Sequence, residues 1–410
     1  MYKGEKLLDR IYPEFPAEEY EARNAAAKAA MDKQGLDALF VTMRENVEYF
    51  TGYVCSYWGV RGIIAGVGII PRKGEPVLVV PDFLCGTAER TAWVRNMRRH
   101  PHTHTKPRDF ANAVIATFKE MGLEKGTIGY ESGPELSLDL PIVDFETVRA
   151  SLKDAKFVSG SDVIWACRSH KSPLEIERLG KANEITFKGY DEARRTIREG
   201  MTEKEIAHIF KQVFLNEGAD GHAPNGLGFF NIRAGAERYP MADSLPQDRK
   251  LQKGDLLSMN LGASWRGYCG HTARYAFVGE PTEEHKKVDR LVGCIRDATV
   301  EFLKPGINGE GLNAYVREAV ADLGVGLSRF GSIVDAPVGG INMGMNVHEH
   351  PRIAVGMKER TEAGMCIMMG CWLYDVGPGG MGVFSWEHPF IVTETGNRPL
   401  DHLRDEMWVV

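Results

Sequence analysis

The segment GDLLSMNLGASWRGYCGHTARYAFVG, residues 254–279, carries two polar side chains that could do chemistry within an otherwise apolar pattern. The apolar run that begins at Leu256 predicts a buried strand, and the segment that ends at Val278 predicts its partner strand. On this strand pair the residues that could face a pocket are Asn260 and His271. Enzymes often use such strand pairs to present acids, so an amide and an imidazole at these positions need an explanation.

A second group of candidates lies near residue 350. His348 and His350 are two residues apart, so in a strand they would share one face. His348 could shuttle protons, because the pKa of imidazole lies near neutrality. Alternatively, both histidines are structural, and Glu349 and backbone carbonyls form their hydrogen bonds. Arg352 follows, and it could bind a substrate carboxylate with two parallel hydrogen bonds or form a structural salt bridge.

These side chains depend on the elements that hold them, and the chain shows two patterns of elements. Residues 1–160 alternate helical and strand patterns, which predicts a small α/β domain. A long helix then begins where Ser172, Pro173 and Glu175 combine an N-cap, a proline at the first helical position and a capping-box acid. Pairs of helices alternate with strands in residues 161–410, which predicts a second domain of the α+β class.

The composition limits the class of protein. The 410-residue chain has a net charge of -6, so we expect neither a nucleic acid nor an acidic membrane as partner. No apolar run approaches the roughly 20 residues of a membrane helix, and the first residues lack the pattern of a secretory signal. The seven cysteines form no CxxC pair. Together these features predict reduced thiols in a cytoplasmic protein.

Six segments resemble, in the same order, segments of the creatinase, prolidase and methionine aminopeptidase superfamily. They are NVEYFTGY (46–53), KSPLEIERL (171–179), GDLLSMNLGASWRGY (254–268), NVHEHPRI (346–353), EAGMCIMMGCWLY (362–374) and WEHPFIVTETG (386–396). The resemblance implies a pita-bread catalytic domain at residues 161–410, preceded by a creatinase-type α/β domain at residues 1–160. The overall class is α+β.

The resemblance also implies five metal-binding positions, most of which have a different residue type here. The peptidases of this superfamily hold two divalent metals with two aspartates, one histidine and two glutamates, which are ligands that suit such ions. The corresponding residues are Asn260, His271, Ile341, Gly370 and Glu387, and only Glu387 keeps its type. We therefore expect no dinuclear metal centre, no cofactor, and peptidase activity to be absent.

An alternative retains one metal. His271 and Glu387 occupy former ligand positions, and with Asp243 they could hold a single divalent metal. Mixed nitrogen and oxygen ligands suit zinc or iron. The same two residues could equally form an acid–base pair, or a buried hydrogen-bonded pair without a role in catalysis.

Creatinase and ectoine hydrolase resemble this chain and work without the dinuclear centre. Creatinase has an asparagine at the position of Asn260, and its substrate-clamping arginine falls on Arg352. The resemblance implies a metal-independent hydrolase of a C–N bond in a small zwitterionic compound. The proton-transfer histidine of creatinase corresponds to Asp243 in this chain. The two glutamates with which creatinase binds a guanidinium group correspond to Ala273 and Gly370, so the resemblance does not identify the substrate. A single-metal hydrolase or lyase of an osmolyte-like substrate and an inactive binding protein are the alternatives.

The resemblance assigns roles to two sets of residues. The acid–base set consists of His348, Asp243, Glu387 and His271. His348 would be the proton shuttle and Asp243 the base, and Glu387 would orient His348 or stabilise positive charge. The substrate-binding set is Arg352, Tyr57, Trp58, Arg61, Asn260, His350 and His222. The segment at residues 52–61 resembles one that closes the pocket of the partner subunit, which implies a homodimer with a small-molecule substrate.

Overall fold

The structure is a computed structural model that describes residues 14–60, 63–101, 109–221, 226–238, 244–323, 338–373, 383–402 and 407–410. Three of the predicted site residues, Arg61, His222 and Asp243, lie outside this part of the chain. No helix within it is both long and apolar enough to cross a membrane.

The chain divides into two compact units, Met1–Arg168 and Ser169–Val410. The helices of the first unit are α1 (Ala17–Gln34), α2 (Arg44–Thr51), α3 (Cys85–Thr91), α4 (Asp109–Glu120), α5 (Ile142–Ser151) and α6 (Ser161–Arg168). The helices of the second unit are α7 (Pro173–Thr196), α8 (Glu203–Asn216), α9 (Glu283–Phe302) and α10 (Gly309–Ala319).

Each unit contains one large sheet. The strands of the first unit are β1 (Ala38–Val41), β2 (Val67–Pro71), β3 (Val77–Pro81), β4 (Met97–His100), β5 (Thr127–Tyr130) and β6 (Lys156–Ser159). The strands of the second unit are β7 (Gly228–Ala234), β8 (Leu256–Trp265), β9 (Tyr268–Cys269), β10 (Thr272–Phe277), β11 (Gly339–Asn342), β12 (Glu349–Ile353), β13 (Cys366–Leu373), β14 (Phe384–Val392) and β15 (Asn397–Pro399).

The sheet of the first unit is mixed, with the strand order β4-β3-β2-β1-β5-β6. Strand β1 pairs antiparallel with β2 and parallel with β5. Apolar residues of α4 and α5, among them Phe118 and Phe145, join a core with strand residues such as Phe40 and Val67. This arrangement of helices against a mixed sheet is the α/β pattern expected for the N-terminal part of the chain.

The sheet of the second unit is antiparallel, with the order β12-β11-β13-β14-β10-β8-β7. Helices α7 and α8 pack on Leu257 and Met259 of β8, and α9 and α10 pack on Met369 and Trp386 of β13 and β14. Successive residues of a strand point to opposite faces, so the residues between these apolar positions lie on the other face of the sheet. We call the face that the helices cover the helical face and the opposite one the inner face.

Helix α7 begins as the sequence predicts. The side chain of Ser172 accepts a hydrogen bond from the backbone of Glu175, and the Glu175 carboxylate accepts one from the backbone of Ser172. The predicted partner strand of β8, by contrast, is divided into β9 and β10, because Gly270 and His271 interrupt the pairing. This interruption places His271 directly before β10, at the edge of the inner face.

Candidate functional site

A continuous row of directly opposed residues crosses the inner face of the sheet. Residues that are paired directly across neighbouring strands share one face of a sheet. The row runs from β7 to β11 through Asn231, Asn260, Ala273, Glu387, Gly370 and Gly339. It therefore brings together Asn260 and Glu387, which the sequence predicts as site residues, and adds Asn231, which the sequence analysis missed. The signal for Asn231 was a lone amide in the strand GFFNIRA, opposite another amide.

His271 and Glu387 form a buried pair at the centre of this row. The Nε2 atom of His271 is hydrogen-bonded to Oε2 of Glu387, and both side chains are at most 5% exposed. The ring of His271 lies against the ring of Phe229, with 4.8 Å between centroids. Its backbone N–H donates to Oδ1 of Asn183 at 3.2 Å. The pair can hold and move one proton between the imidazole and the carboxylate.

Two polar atoms of the site have no hydrogen-bond partner among the described residues. They are Nδ1 of His271 and Oδ1 of Asn260, and both atoms are buried. A buried polar atom without a partner costs about 1–3 kcal/mol, so such atoms are rare unless a ligand or water satisfies them. Both residues therefore have an atom available for a bound molecule.

The described residues do not fit a dinuclear metal centre of the kind that the superfamily uses. They contain no group of three or more histidine, cysteine, aspartate or glutamate residues that could hold a metal. At Gly370, a former ligand position, an added Cβ would lie 2.6 Å from Cγ of Glu387 and 2.7 Å from the carbonyl oxygen of Trp386. A side chain at residue 370 would thus need the neighbouring strand to move.

Arg352 also lies on the inner face, because it is paired with Ile341 on β11, two residues from Gly339 of the row. It is half-buried, as is His350 two residues before it. The buried Glu349 is the first residue of the strand, and the pairing of β11 with β12 is irregular between Ile341 and Asn342. Glu349 accepts a hydrogen bond from Nζ of Lys171 at 3.0 Å, and both side chains are 1% exposed.

The prediction that His348 and His350 share one face of a strand is wrong. Strand β12 begins at Glu349, and His348 precedes it as an exposed residue. The reason is the buried ion pair between Glu349 and Lys171, which fixes the first residue of the strand. His350 and Arg352 both lie in strand β12, and both are half-buried.

His388 follows Glu387 directly but points to the helical face. Its Nδ1 accepts a hydrogen bond from Nη2 of Arg274 at 3.1 Å, and its Nε2 donates to the carbonyl oxygen of Asp401 at 3.1 Å. Burial, together with the positive charge of Arg274, holds the pKa of His388 well below its usual value. His388 is therefore a neutral structural residue, and the adjacent glutamate and histidine do not act as one pair.

Tyr57 and Trp58 lie in the first unit. Tyr57 is 38% exposed and its ring packs edge-on against Phe83, with 5.2 Å between centroids. Trp58 packs near Tyr53 at 5.8 Å, and its buried Nε1 has no partner among the described residues. Their role in covering a substrate stays a prediction.

Two family models match the chain. The model of the creatinase/prolidase N-terminal domain matches residues 23–170, and the model of metallopeptidase family M24 matches residues 177–394. These matches confirm the predicted superfamily and the predicted architecture, an α/β N-terminal domain followed by a pita-bread domain.

Relatives match over nearly their whole length. The Xaa-Pro dipeptidase of Pyrococcus horikoshii is 27% identical over 379 residues, which are 92% of this chain and 96% of the relative. The Xaa-Pro dipeptidase of Pyrococcus furiosus is 25% identical over 377 residues, 92% of this chain and 97% of the relative. The solved structure of an Xaa-Pro dipeptidase from Bacillus anthracis is 21% identical, covers 95% of this chain and 100% of its own, and has a TM-score of 0.80.

These comparisons correct three predictions. The predicted non-peptide C–N hydrolase and its two alternatives are wrong, because the relatives are named as peptidases, among them the two Xaa-Pro dipeptidases of Pyrococcus. The prediction that peptidase activity is absent is wrong for the same reason. The prediction of no cofactor is wrong as well, because the matching family is one of metallopeptidases.

Proposed function

The chain belongs to metallopeptidase family M24, and from that premise we propose that it hydrolyses the amide bond of short Xaa-Pro peptides. The observation that carries the proposal is the 27% identity to an Xaa-Pro dipeptidase over 92% of this chain and 96% of that relative. The two family models, at residues 23–170 and 177–394, span parts of both units and strands β7 to β14. Fold alone would not support an activity, because one fold hosts many functions.

The inner face offers groups for a dipeptide. Arg352 is half-buried on the same face as the row, and its planar guanidinium suits the terminal carboxylate of a dipeptide. The buried Oδ1 of Asn260 accepts a hydrogen bond from the ammonium or amide N–H of the peptide. The substrate is thus held at both ends along one face of the sheet.

The His271–Glu387 pair lies between these two binding groups along the row. We assign the proton transfer of the reaction to this pair. Glu387 forms a hydrogen bond with Nε2 of His271, which leaves Nδ1 to accept a proton from the substrate or to donate one to it. An acid–base group positioned in this way contributes about 100- to 10,000-fold to a rate. No step is assigned to a metal, because the described residues do not make the five-ligand set.

The chain is further proposed to be a cytoplasmic homodimer with a small-molecule substrate. All seven cysteines are free thiols, which supports a reducing compartment. A dimer would have twice the 45.6 kDa mass of the chain. Light scattering that finds only the single-chain mass at micromolar concentration contradicts the dimer.

The activity is tested by proline release from a panel of Xaa-Pro dipeptides. The full chain is assayed as purified and after addition of manganese, cobalt or zinc, with the same metals without protein as the blank. We expect proline release that depends on the chain. Calorimetry on the same dipeptides separates binding from cleavage, and dipeptides that bind without any cleavage under all metal conditions contradict the proposal.

A further inference from the structure

A cavity of about 250 Å³ lies beside helix α9 in the second unit. It opens between α9, strands β10 and β14, and the C-terminal segment. Its charged and aromatic lining consists of Arg274, Tyr275, Asp289, Arg290, Arg296, Trp386 and Trp408. Arg274 directly follows Ala273 of the row, and alternation along β10 places the two side chains on opposite faces. No residue of the row lines the cavity, which is therefore distinct from the candidate functional site.

The positive charge of this cavity exceeds its negative charge. Three arginines line it against one carboxylate, Asp289, whose Oδ1 already accepts a hydrogen bond from the hydroxyl of Tyr275 at 2.7 Å. Arg296 is paired with Asp297 at 2.8 Å, but the Asp297 side chain is 68% exposed and that pair is weakened by solvent. An anion that enters the cavity meets a field that favours it.

Arg274 has no carboxylate partner among the described residues. Its Nη1 donates to the carbonyl oxygens of Ala273 and Glu387 at 2.8 and 2.7 Å and to Oγ1 of Thr272 at 2.8 Å. Its Nη2 donates to Nδ1 of His388 at 3.1 Å. Burial lowers the pKa of Arg274 to about 10. Arg274 is half-buried. A partly desolvated charge that is hydrogen-bonded only to neutral groups is costly, and an anion at the cavity would offset that cost.

Helix α9 leaves a notch beside these charges. Asp289, Gly293 and Arg296 are spaced four and three residues apart, so they lie on one side of the helix. A Cβ added at Gly293 would meet no atom within 4 Å, although the residue lines the cavity. Trp386 and Trp408 supply apolar surface next to the arginines.

We propose that this cavity binds a small organic anion, in which a carboxylate or phosphate group contacts Arg274, Arg290 and Arg296 and an apolar body packs on the two tryptophans. Guanidinium groups recognise both oxyanions through charge-assisted hydrogen bonds. Tryptophan faces favour a flat apolar body over a bare ion. This site goes beyond the proposed peptidase activity and does not depend on it.

Calorimetry with phenyl phosphate tests the proposal on the full chain, with benzoate, inorganic phosphate and benzyl alcohol as comparison probes. We expect saturable binding of phenyl phosphate, benzoate binding if the carboxylate is also accepted, weaker binding of inorganic phosphate, and none of benzyl alcohol. Gly293→Leu should fill the notch and raise the Kd about tenfold or more, and Arg290→Gln with Arg296→Gln should do the same by removing charged donors.

Two matched variants locate the binding. Arg195→Gln removes a 70% exposed arginine of α7 and should leave the Kd unchanged. Arg352→Ala removes the arginine proposed to bind the peptide carboxylate and should also leave the Kd unchanged, which separates this site from the peptide site. Absence of saturable phenyl phosphate binding at millimolar concentration overturns the proposal. So does an unchanged Kd in both the Gly293→Leu and the double arginine variants, whose folding is checked by thermal unfolding.

Discussion

At the scale of single residues, Arg352 is the group whose proposed role is easiest to isolate. Arg352→Ala should raise KM for an Xaa-Pro dipeptide about tenfold or more and change kcat less, because a guanidinium–carboxylate contact is present in both the ground state and the transition state. Steady-state kinetics on the proline-release assay measure the two parameters. Arg266→Ala, at a residue exposed outside the row, is the control with unchanged KM. A fall in kcat alone would contradict the binding role.

Gly370 limits which side chains the inner face tolerates. A Cβ at this position would lie 2.7 Å from the carbonyl oxygen of Trp386, which is backbone and cannot rotate away. Gly370→Ala should therefore lower the free energy of unfolding by about 1–3 kcal/mol, as overpacking does. Urea unfolding measures the change. Gly180→Ala, within α7 and with no atom within 4 Å of the added Cβ, is the control and should be neutral or stabilising.

Equal stability of the Gly370→Ala variant and the wild type would mean that the strand yields at this point. In that case the site could accept a longer side chain at residue 370, and steric crowding at this position would not exclude a metal-binding glutamate there.

Sequence alone identified Asn260, His271 and Glu387, because a strand pattern and a family resemblance are both local in the chain. It could not find the pairing of Arg274 with His388. These residues are 114 apart, and their contact depends on the register between β10 and β14. The shared strand face expected for His348 and His350 was wrong because β12 begins only at Glu349, which pairs with a lysine far away in the chain.

At the scale of elements, the start of α7 is both predicted and observed. Ser172→Ala should lower the free energy of unfolding by about 1 kcal/mol, because it removes the acceptor of the Glu175 backbone N–H. Equilibrium unfolding followed by circular dichroism measures the loss. Ser56→Ala, at an exposed serine of the first unit, is the matched control and should have no effect. An unchanged stability of the Ser172 variant would show that water replaces the cap without cost.

The partner of β8 shows the limit of pattern reading at this scale. An apolar alternation from residue 268 to 278 reads as one strand, and the structure has two. The break at Gly270 follows from packing: a Cβ at Gly270 would lie 2.6 Å from the carbonyl oxygen of Ala182 on α7. A helix that approaches this closely from another part of the chain leaves no local signal except the glycine.

At the scale of the whole molecule, one buried histidine couples stability to pH. Burial and Arg274 hold the pKa of His388 well below 6.5 in the folded chain, whereas in the unfolded chain it is near 6.5. The unfolded state therefore binds a proton below about pH 6.5 that the folded state does not bind. The contribution of His388 to stability is complete above that pH and declines as the pH falls.

Urea unfolding at a series of pH values between 7.5 and 5 tests this coupling, with about 1.4 kcal/mol per pH unit as the limit for one proton. The His388→Gln variant should lose part of the slope that the wild type shows below pH 6.5. The exposed His402→Gln variant should keep the wild-type slope. Identical slopes in all three proteins would contradict a neutral His388 in the folded state.

The organisation into an α/β part and a pita-bread part could be predicted from the sequence, because capping signals and segment order are preserved even where ligands are not. The activity could not. Five ligand positions suggested a non-peptidase, whereas the relatives from Pyrococcus horikoshii and Pyrococcus furiosus, each matching 92% of the chain, are named as Xaa-Pro dipeptidases. A different residue type at a metal-ligand position changes only that position, and it does not show what the rest of the pocket binds.

The central claim is that the inner-face pair of His271 and Glu387 supports cleavage of Xaa-Pro dipeptides. The most direct measurement is kcat for proline release by the wild type and by Glu387→Gln, prepared identically and assayed under the same metal conditions. Glutamine keeps the size of the side chain but cannot hold the negative charge that orients His271. The account predicts wild-type cleavage and a fall in kcat of about 100- to 10,000-fold in the variant, with thermal unfolding unchanged in form. Equal kcat in the two proteins, or no cleavage by the wild type with any dipeptide and metal, would contradict it.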